Sequence, residues 1–254
     1  MKQISSVNNK FIKEIEKLNK KKYREETGMY LIEGFHLFEE ALKAKQKLLY
    51  LLATDTALSK AEEYGIDIEA KNIILINKAI ARHLSSTKNS QEIFLVLRIA
   101  QPKQFSFNYG KWVLLDNLAD PGNVGTIIRT ADAAGFNGVI LSPESVDLYN
   151  PKVQRAMQGS QFHVDLVIKD LSETIMQFHE SDIPVYASML DVNAKKLPEF
   201  AKIPQLGLVS GNEAHGVNKQ LAELCDDKMY IPIYGKAESL NAAVAAGIMI
   251  YHFA

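Results

Sequence analysis

Residues 115–136 read LDNLADPGNVGTIIRTADAAGF, and this stretch decides the fold of the second half of the chain. It follows the apolar run Trp112-Val113-Leu114-Leu115. A strand therefore ends at Asp116-Asn117, a turn forms at Pro121-Gly122, and a helix is predicted over 124–134, closed by Gly135. Asn123 stands where an N-cap would, with its side-chain oxygen able to accept a backbone N–H. Arg129 lies between Ile127-Ile128 and Thr130-Ala131, amid apolar and small residues. A guanidinium in such surroundings needs a partner, either a nearby carboxylate (Asp116 or Asp132) or a phosphate.

Moving toward the C-terminus, further apolar runs predict strands at 138–141, 185–190, 206–210 and 229–233, and an Ala-rich helix at 240–253. Continuous apolar strands followed by helices indicate a parallel sheet covered on both faces. Ligands of such sheets bind outside the carboxyl ends of the strands. Two more loops lie at those ends. LVSGNEAHGV (208–217) has G-x-x-x-x-G but is followed by Val-Asn rather than Lys-Ser/Thr, so it is no phosphate loop of the Walker type. No G-x-G-x-x-G occurs in the chain, which argues against a dinucleotide cofactor. IPIYGKAESLNAAVAAGIMIYHF (231–253) opens its helix at Ser239-Leu240-Asn241, with Ser239 the candidate cap, and its small residues offer a face that another backbone can approach.

Toward the N-terminus the character differs. Amphipathic helices are predicted at 8–21 and 34–45, and short strands at 48–52, 73–76 and 93–97, which reads as a small α/β domain. The segment AQPKQFSFNYGK (100–111) lacks a period and reads as a linker. The chain thus divides into a domain at 1–100, a linker at 101–111 and a domain at 112–254.

Of 254 residues, 47% are hydrophobic and the net charge is −1. Residues 1–100 nevertheless carry 17 Lys+Arg against 13 Asp+Glu, and residues 101–254 carry 12 against 17. Lys17, Lys20, Lys21, Lys22 and Arg24 fall within eight positions, a footprint for phosphates or a solvated helix face. The single cysteine, Cys225, excludes a disulfide framework and a cysteine-based zinc site. His36, His83, His163, His179, His215 and His252 are scattered without ligand spacing, so no metal is expected. No apolar run reaches membrane-spanning or signal-peptide length, and a cytoplasmic protein is expected.

Taken in order, the three loops resemble the SPOUT superfamily of RNA methyltransferases, in its SpoU/TrmH branch. The resemblance rests on Asn123, Arg129, Thr130, Ala131, Ala133 and Gly135, then Gly211, Glu213 and Gly216, then Ile-Pro…Gly…Ser-Leu-Asn…Val-Ala…Gly over 231–247. The intervening Asn150-Pro151-Lys152-Val153, Arg155 and Gly159-Ser160 also fit, while Ala242 and Ala243 depart at backbone-packing positions.

What the resemblance implies is specific. The second half would be an α/β domain with a parallel sheet and a deep trefoil knot, an arrangement otherwise nearly absent from proteins. The first half would be a small α/β RNA-binding domain of ribosomal-protein type. S-adenosylmethionine would be held by backbone groups at Gly211, Ile231 and Leu240. Arg129, Asn123, Glu213, Ser239 and Asn241 would serve methyl transfer to a ribose 2′-hydroxyl. Lys17, Lys20, Lys21, Lys22 and Arg24 would contact RNA phosphates. The chain would act as a homodimer on ribosomal RNA, with transfer RNA as the second choice. A catalytically silent RNA-binding assembly factor is the alternative from another class, and the intact set of motif residues counts against it.

Overall fold

The computed structural model describes residues 2–63, 72–100, 107–212 and 215–254. Contacts divide the chain into two compact units, Met1–Gln101 with Asp147–Phe162, and Pro102–Val146 with His163–Ala254.

In the first unit the strands are β1 (Lys2–Ile4), β2 (Met29–Glu33), β3 (Leu48–Ala53), β4 (Ile73–Ile76) and β5 (Ile93–Arg98). They form one sheet in the order β1-β4-β3-β5-β2. β1, β4 and β3 run parallel, and β5 pairs antiparallel with both β3 and β2. Successive side chains point to opposite faces, so the apolar runs feed two cores. Leu31, Leu52, Ile74, Phe94 and Val96 pack on one face with Ile12, Ile15 and Leu18. Ile32, Leu51, Ile73, Ile93, Leu95 and Leu97 pack on the other with Leu37, Phe38 and Ala41.

The first predicted helix is in fact two, α1 (Lys10–Lys17) and α2 (Lys21–Thr27). The N–H groups of Leu18, Asn19 and Lys20 each bond a carbonyl three residues back, which tightens the last turn of α1. The Leu18 carbonyl is then taken by the Arg24 guanidinium at 2.6 Å. α3 (Phe35–Lys43), α4 (Asp55–Glu62) and α5 (Lys78–Leu84) complete the first half. α7 (Pro151–Met157), from the later segment, packs in this unit as well. Gly159 shows how closely: at φ +95°, a Cβ there would lie 2.7 Å from Cγ of Glu40 on α3.

In the second unit the strands are β6 (Lys111–Leu115), β7 (Gly138–Leu141), β8 (Asp165–Ile168), β9 (Val185–Ser188), β10 (Lys195–Lys196), β11 (Leu206–Ser210) and β12 (Asp227–Tyr230). Every pairing among them is parallel, in the order β10-β12-β9-β11-β6-β7-β8. The helices are α6 (Pro121–Ala133), α8 (Leu171–Glu180), α9 (Lys219–Leu224) and α10 (Ala242–Phe253). The parallel sheet expected from the apolar runs is present. Two outer strands were not foreseen: β8 begins on Asp165 and is half-exposed, and β10 is two exposed lysines, so neither carries an apolar run.

Candidate active site

The chain leaves β6 toward β7 and β8 on one side of the sheet, then returns to build β9 to β12 on the other. β11 lies against β6, so the strand order reverses there. In parallel α/β sheets that reversal opens a crevice at the carboxyl ends of the two strands. The first and second motif loops emerge from those two ends.

Hydrogen bonds join the loops. Asp116 at the end of β6 is buried, and its Oδ2 accepts the backbone N–H of Asn218 at 2.7 Å. The Asn117 carbonyl accepts from Asn212 Nδ2 at 2.8 Å. Asn117 itself adopts φ +53°, a left-handed conformation that Asn tolerates better than most residues. Its N–H is held by Ser142 Oγ at 2.9 Å. The third loop joins at Asn241, whose Nδ2 donates to Asn123 Oδ1 at 3.1 Å. The three stretches singled out in the sequence therefore converge within one unit.

The second loop is tightly wound. Asn212 and Gly216 exchange backbone hydrogen bonds at 3.1 and 2.8 Å. A Cβ on Gly211 would sit 2.1 Å from the backbone of Gly216 and Val217, so only glycine fits. Gly216, at φ +69°, is left-handed. Glu213 lies outside the described residues.

Two capping expectations are corrected. Asp120, not Asn123, caps α6: its Oδ1 accepts the Asn123 N–H at 2.8 Å, and Pro121 sits in the first turn, where its missing N–H costs nothing. That frees the Asn123 side chain to meet Asn241. At the other helix Asn241, not Ser239, is the cap, accepting from Ala243 N at 2.9 Å and Val244 N at 3.3 Å. Ser239 is exposed in the loop before it.

Arg129 is exposed on α6. The two carboxylates that could have paired with it are otherwise engaged. Asp132 contacts His163 Nδ1 at 2.9 Å, and Asp116 bonds Asn218 and Asn117. Arg129 has no hydrogen bond or ion pair to another described residue, which leaves its planar set of donors available to an anion. α10 packs on α6, where a Cβ built on Gly247 would lie in ordinary van der Waals contact, 3.7 Å from Thr130 Cγ2, so this part of α10 packs within the chain.

The loop 231–240 has a distinct chemistry. No backbone group in it bonds to another described residue. Ile231 is half-buried, while Ile233 and Leu240 are exposed. Apolar side chains beside unpaired backbone donors and acceptors suit a flat heterocycle with polar edges, such as an adenine. Among the described residues no group of His, Cys, Asp and Glu is arranged to hold a metal ion.

The basic run in the first unit is less uniform than its sequence. Arg24 is withdrawn from it: 3% exposed, it is ion-paired with Asp147 and bonded to the Leu18 carbonyl. Burial demands such partners for a guanidinium. Lys21 and Lys22 are exposed and face Glu25 and Glu26 at 3.7 and 3.8 Å. Lys17 lies over the Tyr23 ring, and Lys20 is exposed. Asp116, Asn212 and Asn218 join the loops through bonds between segments far apart in sequence, so their part in the site was the least legible in sequence.

Residues 111–251 match the SpoU rRNA Methylase family, and residues 9–95 match the MRM3-like substrate binding domain. The chain is 38% identical over 253 residues to a protein of Bacillus subtilis (strain 168) named 23S rRNA (guanosine(2553)-2′-O)-methyltransferase RlmP, covering 99% of each. Among solved structures it resembles an AdoMet-bound rRNA methyltransferase from Sinorhizobium meliloti, with a TM-score of 0.88, 29% identity, and 99% and 96% of the two chains covered. It also resembles an RNA 2′-O ribose methyltransferase at a TM-score of 0.85, 27% identity, and 98% and 97% coverage.

Proposed function

The chain belongs to the SpoU rRNA methylase family, and from that premise we propose that it methylates a ribose 2′-hydroxyl of ribosomal RNA, with S-adenosylmethionine as methyl donor. The observation that carries this reading is the hydrogen-bonded meeting of three motif loops at the strand-order reversal, tied by Asn123–Asn241 and Asn117–Asn212. The similarity to a 23S rRNA 2′-O-methyltransferase and to an AdoMet-bound rRNA methyltransferase supports the substrate and the donor.

S-adenosylmethionine, when bound, supplies a sulfonium methyl group. The backbone of Gly211, Ile231 and Leu240 would hold it, with the apolar edges of Ile231 and Leu240 against the heterocycle. In-line transfer to a hydroxyl asks two things of the protein, alignment and relief of the charge that develops on oxygen. Alignment of two bound reactants can supply roughly 7–11 kcal/mol of the barrier. Arg129 meets the second requirement. Its guanidinium brings a delocalised positive charge and a planar set of donors to the site. It therefore binds a substrate phosphate and stabilises the incipient alkoxide, while the hydroxyl proton passes to solvent. Asn123, held by Asn241, orients the ribose. Ser239 would contact the nucleotide, and Glu213 would serve beside Arg129.

The first 100 residues would bind the RNA, 101–111 would link, and 112–254 would carry the chemistry. Lys17, Lys20, Lys21 and Lys22 form a diffuse cationic surface for the RNA backbone, which positions RNA without reading its sequence. We assign the family's trefoil knot to the path through the second and third loops on the strength of motif order. A homodimer is supported by Val244, Ile248 and Tyr251, exposed apolar residues along one face of α10. A cytoplasmic location accords with ribosomal RNA as substrate.

Ribose-methylation mapping across all rRNA and tRNA in a deletion strain tests the proposal. A single lost 2′-O-methyl group in rRNA, restored by the wild-type gene, is expected. A loss confined to tRNA, or no loss, would reject it. Light scattering in solution should give twice the 28.4 kDa chain mass.

A further inference from the structure

A groove of about 380 Å³ crosses the first unit between the start of α3 and the loop 85–91. Its inner end meets a recess of about 20 Å³, the size of one water, with which it shares Glu33, Leu37 and Arg155. Leu37 is the buried apolar floor. The polar groups around it are His36, Lys88, Asn89, Gln91, Arg155 and Gln158.

His36, Gln91 and Arg155 are held in place by the groove's own hydrogen bonds. Glu33 is the acidic member, and its carboxylate is consumed in fixing the loop. Ser85 Oγ lies 2.8 and 2.9 Å from its two oxygens, and Ser90 Oγ donates at 2.8 Å. Gln91 Oε1 accepts the Phe35 N–H at 2.8 Å, which leaves its NH₂ pointing elsewhere. His36 Nε2 is fixed against the Gln158 carbonyl at 2.9 Å. One arm of Arg155 bonds Ser86 Oγ and the other donors remain. Lys88 and Asn89 are exposed, and their side chains bond to no other described residue.

We infer that this groove receives one unstacked nucleotide of the RNA substrate. The volume admits a single base with its sugar. The Asn89 amide offers a paired donor and acceptor, and Gln91 a further NH₂ donor, of the kind that read the edges of splayed-out bases; the Gln158 NH₂ is taken by the Arg155 carbonyl at 2.6 Å. Lys88 and Arg155 supply two cations for the flanking phosphates. The contrast with the lysine run is direct: there Lys21 and Lys22 face glutamates of their own helix, whereas the cations here face open space with their acid neighbour already committed. The groove would add selection of a nucleotide to the sequence-blind hold of the lysines.

The inference rests on the RNA reading above, so its test keeps binding and turnover apart. The full chain carrying Lys88→Ala and Asn89→Ala together is compared with wild type. Both sites are exposed, and matching melting curves check that the fold is intact. The probe is unmodified 23S rRNA made by transcription. Expected are an RNA Kd and a KM raised about tenfold, with kcat at saturating RNA and cofactor affinity unchanged. The slope of log Kd against log salt should fall by about one. An RNA Kd within twofold of wild type overturns the groove assignment. Wild-type protein that binds the transcript but transfers no methyl group would instead reject the enzymatic reading, leaving the binding arm to decide the groove.

Discussion

Asn241 faces two ways: its Oδ1 accepts the N–H groups of Ala243 and Val244 that begin α10, and its Nδ2 donates to Asn123 Oδ1 on α6, 3.1 Å away. One side chain thus ends a loop, starts a helix and ties two motifs together. Asn241→Asp keeps the capping oxygen and removes the donor. Stability should stay within a few tenths of a kcal/mol, because Asp caps as well as Asn. Turnover should fall at least about tenfold, on the order of one lost hydrogen bond. Asn241→Ala should lose about 1 kcal/mol of stability as well. Urea unfolding and a methyl-transfer assay separate the two effects. Wild-type turnover in Asn241→Asp would remove the interloop bond from the mechanism.

Arg129 offers a guanidinium that no other described residue engages. Arg129→Ala should lower kcat by about 10²–10³-fold or more, the usual cost of deleting a donor aimed at a developing oxyanion. Calorimetry should find cofactor affinity within a few-fold of wild type. Arg129→Lys should fail similarly, since an ammonium cannot offer the planar fork. Surviving turnover in Arg129→Ala would refute the assigned role.

Gly211→Ala brings a methyl group to 2.1 Å from the backbone of Gly216 and Val217. The loop must open to admit it, moving Asn212 away from the Asn117 carbonyl. Cofactor binding should drop by more than tenfold while the far-ultraviolet spectrum stays unchanged. Titration calorimetry with S-adenosylmethionine reads this directly, and an unaltered Kd would show that the loop is not part of the cofactor site.

Arg24 belongs to folding rather than to RNA contact. Removing one partner of a buried pair typically costs about 3–5 kcal/mol, and the slight exposure of Asp147 puts Arg24→Met near the lower figure. Lys20→Ala, by contrast, should leave stability within about 0.5 kcal/mol and reduce the salt dependence of RNA binding. The expectation would be wrong if Arg24→Met unfolded at the wild-type urea midpoint.

Cys225 should be a slow thiol. Burial, and secondarily the charge of Asp226, push its pKa up to about 12. The folded chain then holds the thiol proton where the unfolded chain has released it. Stability is therefore unaffected by this group below about pH 8.5 and declines as pH rises from there toward 12. The half-buried thiol should react slowly with disulfide-exchange reagents at pH 8 and faster once the chain unfolds, and equal rates in the two states would contradict the raised pKa.

The elements were legible where one residue run carries one physical preference. Val113-Leu114-Leu115, Val139-Ile140-Leu141 and Leu208-Val209 announce buried parallel strands because both faces are apolar. The single helix expected at 8–21 was not found, since the break depends on Arg24 reaching back to the Leu18 carbonyl, six residues away. β8 and β10 were missed because edge strands need little apolar content. The caps at Asp120 and Asn241 were misassigned by two or three positions because Ser, Asn and Asp compete equally for such sites.

Local chemistry alone therefore determined which residues are apolar, which turns need glycine, and which three loops hold the unusual Asn, Arg and Glu. Their meeting is a property of topology. Asp116 reaches Asn218 across 102 positions and Asn123 reaches Asn241 across 118, distances in sequence that no periodicity encodes. Parallel pairing of β11 beside β6 brings those ends together, because every parallel neighbour delivers its outgoing loop to the same edge of the sheet.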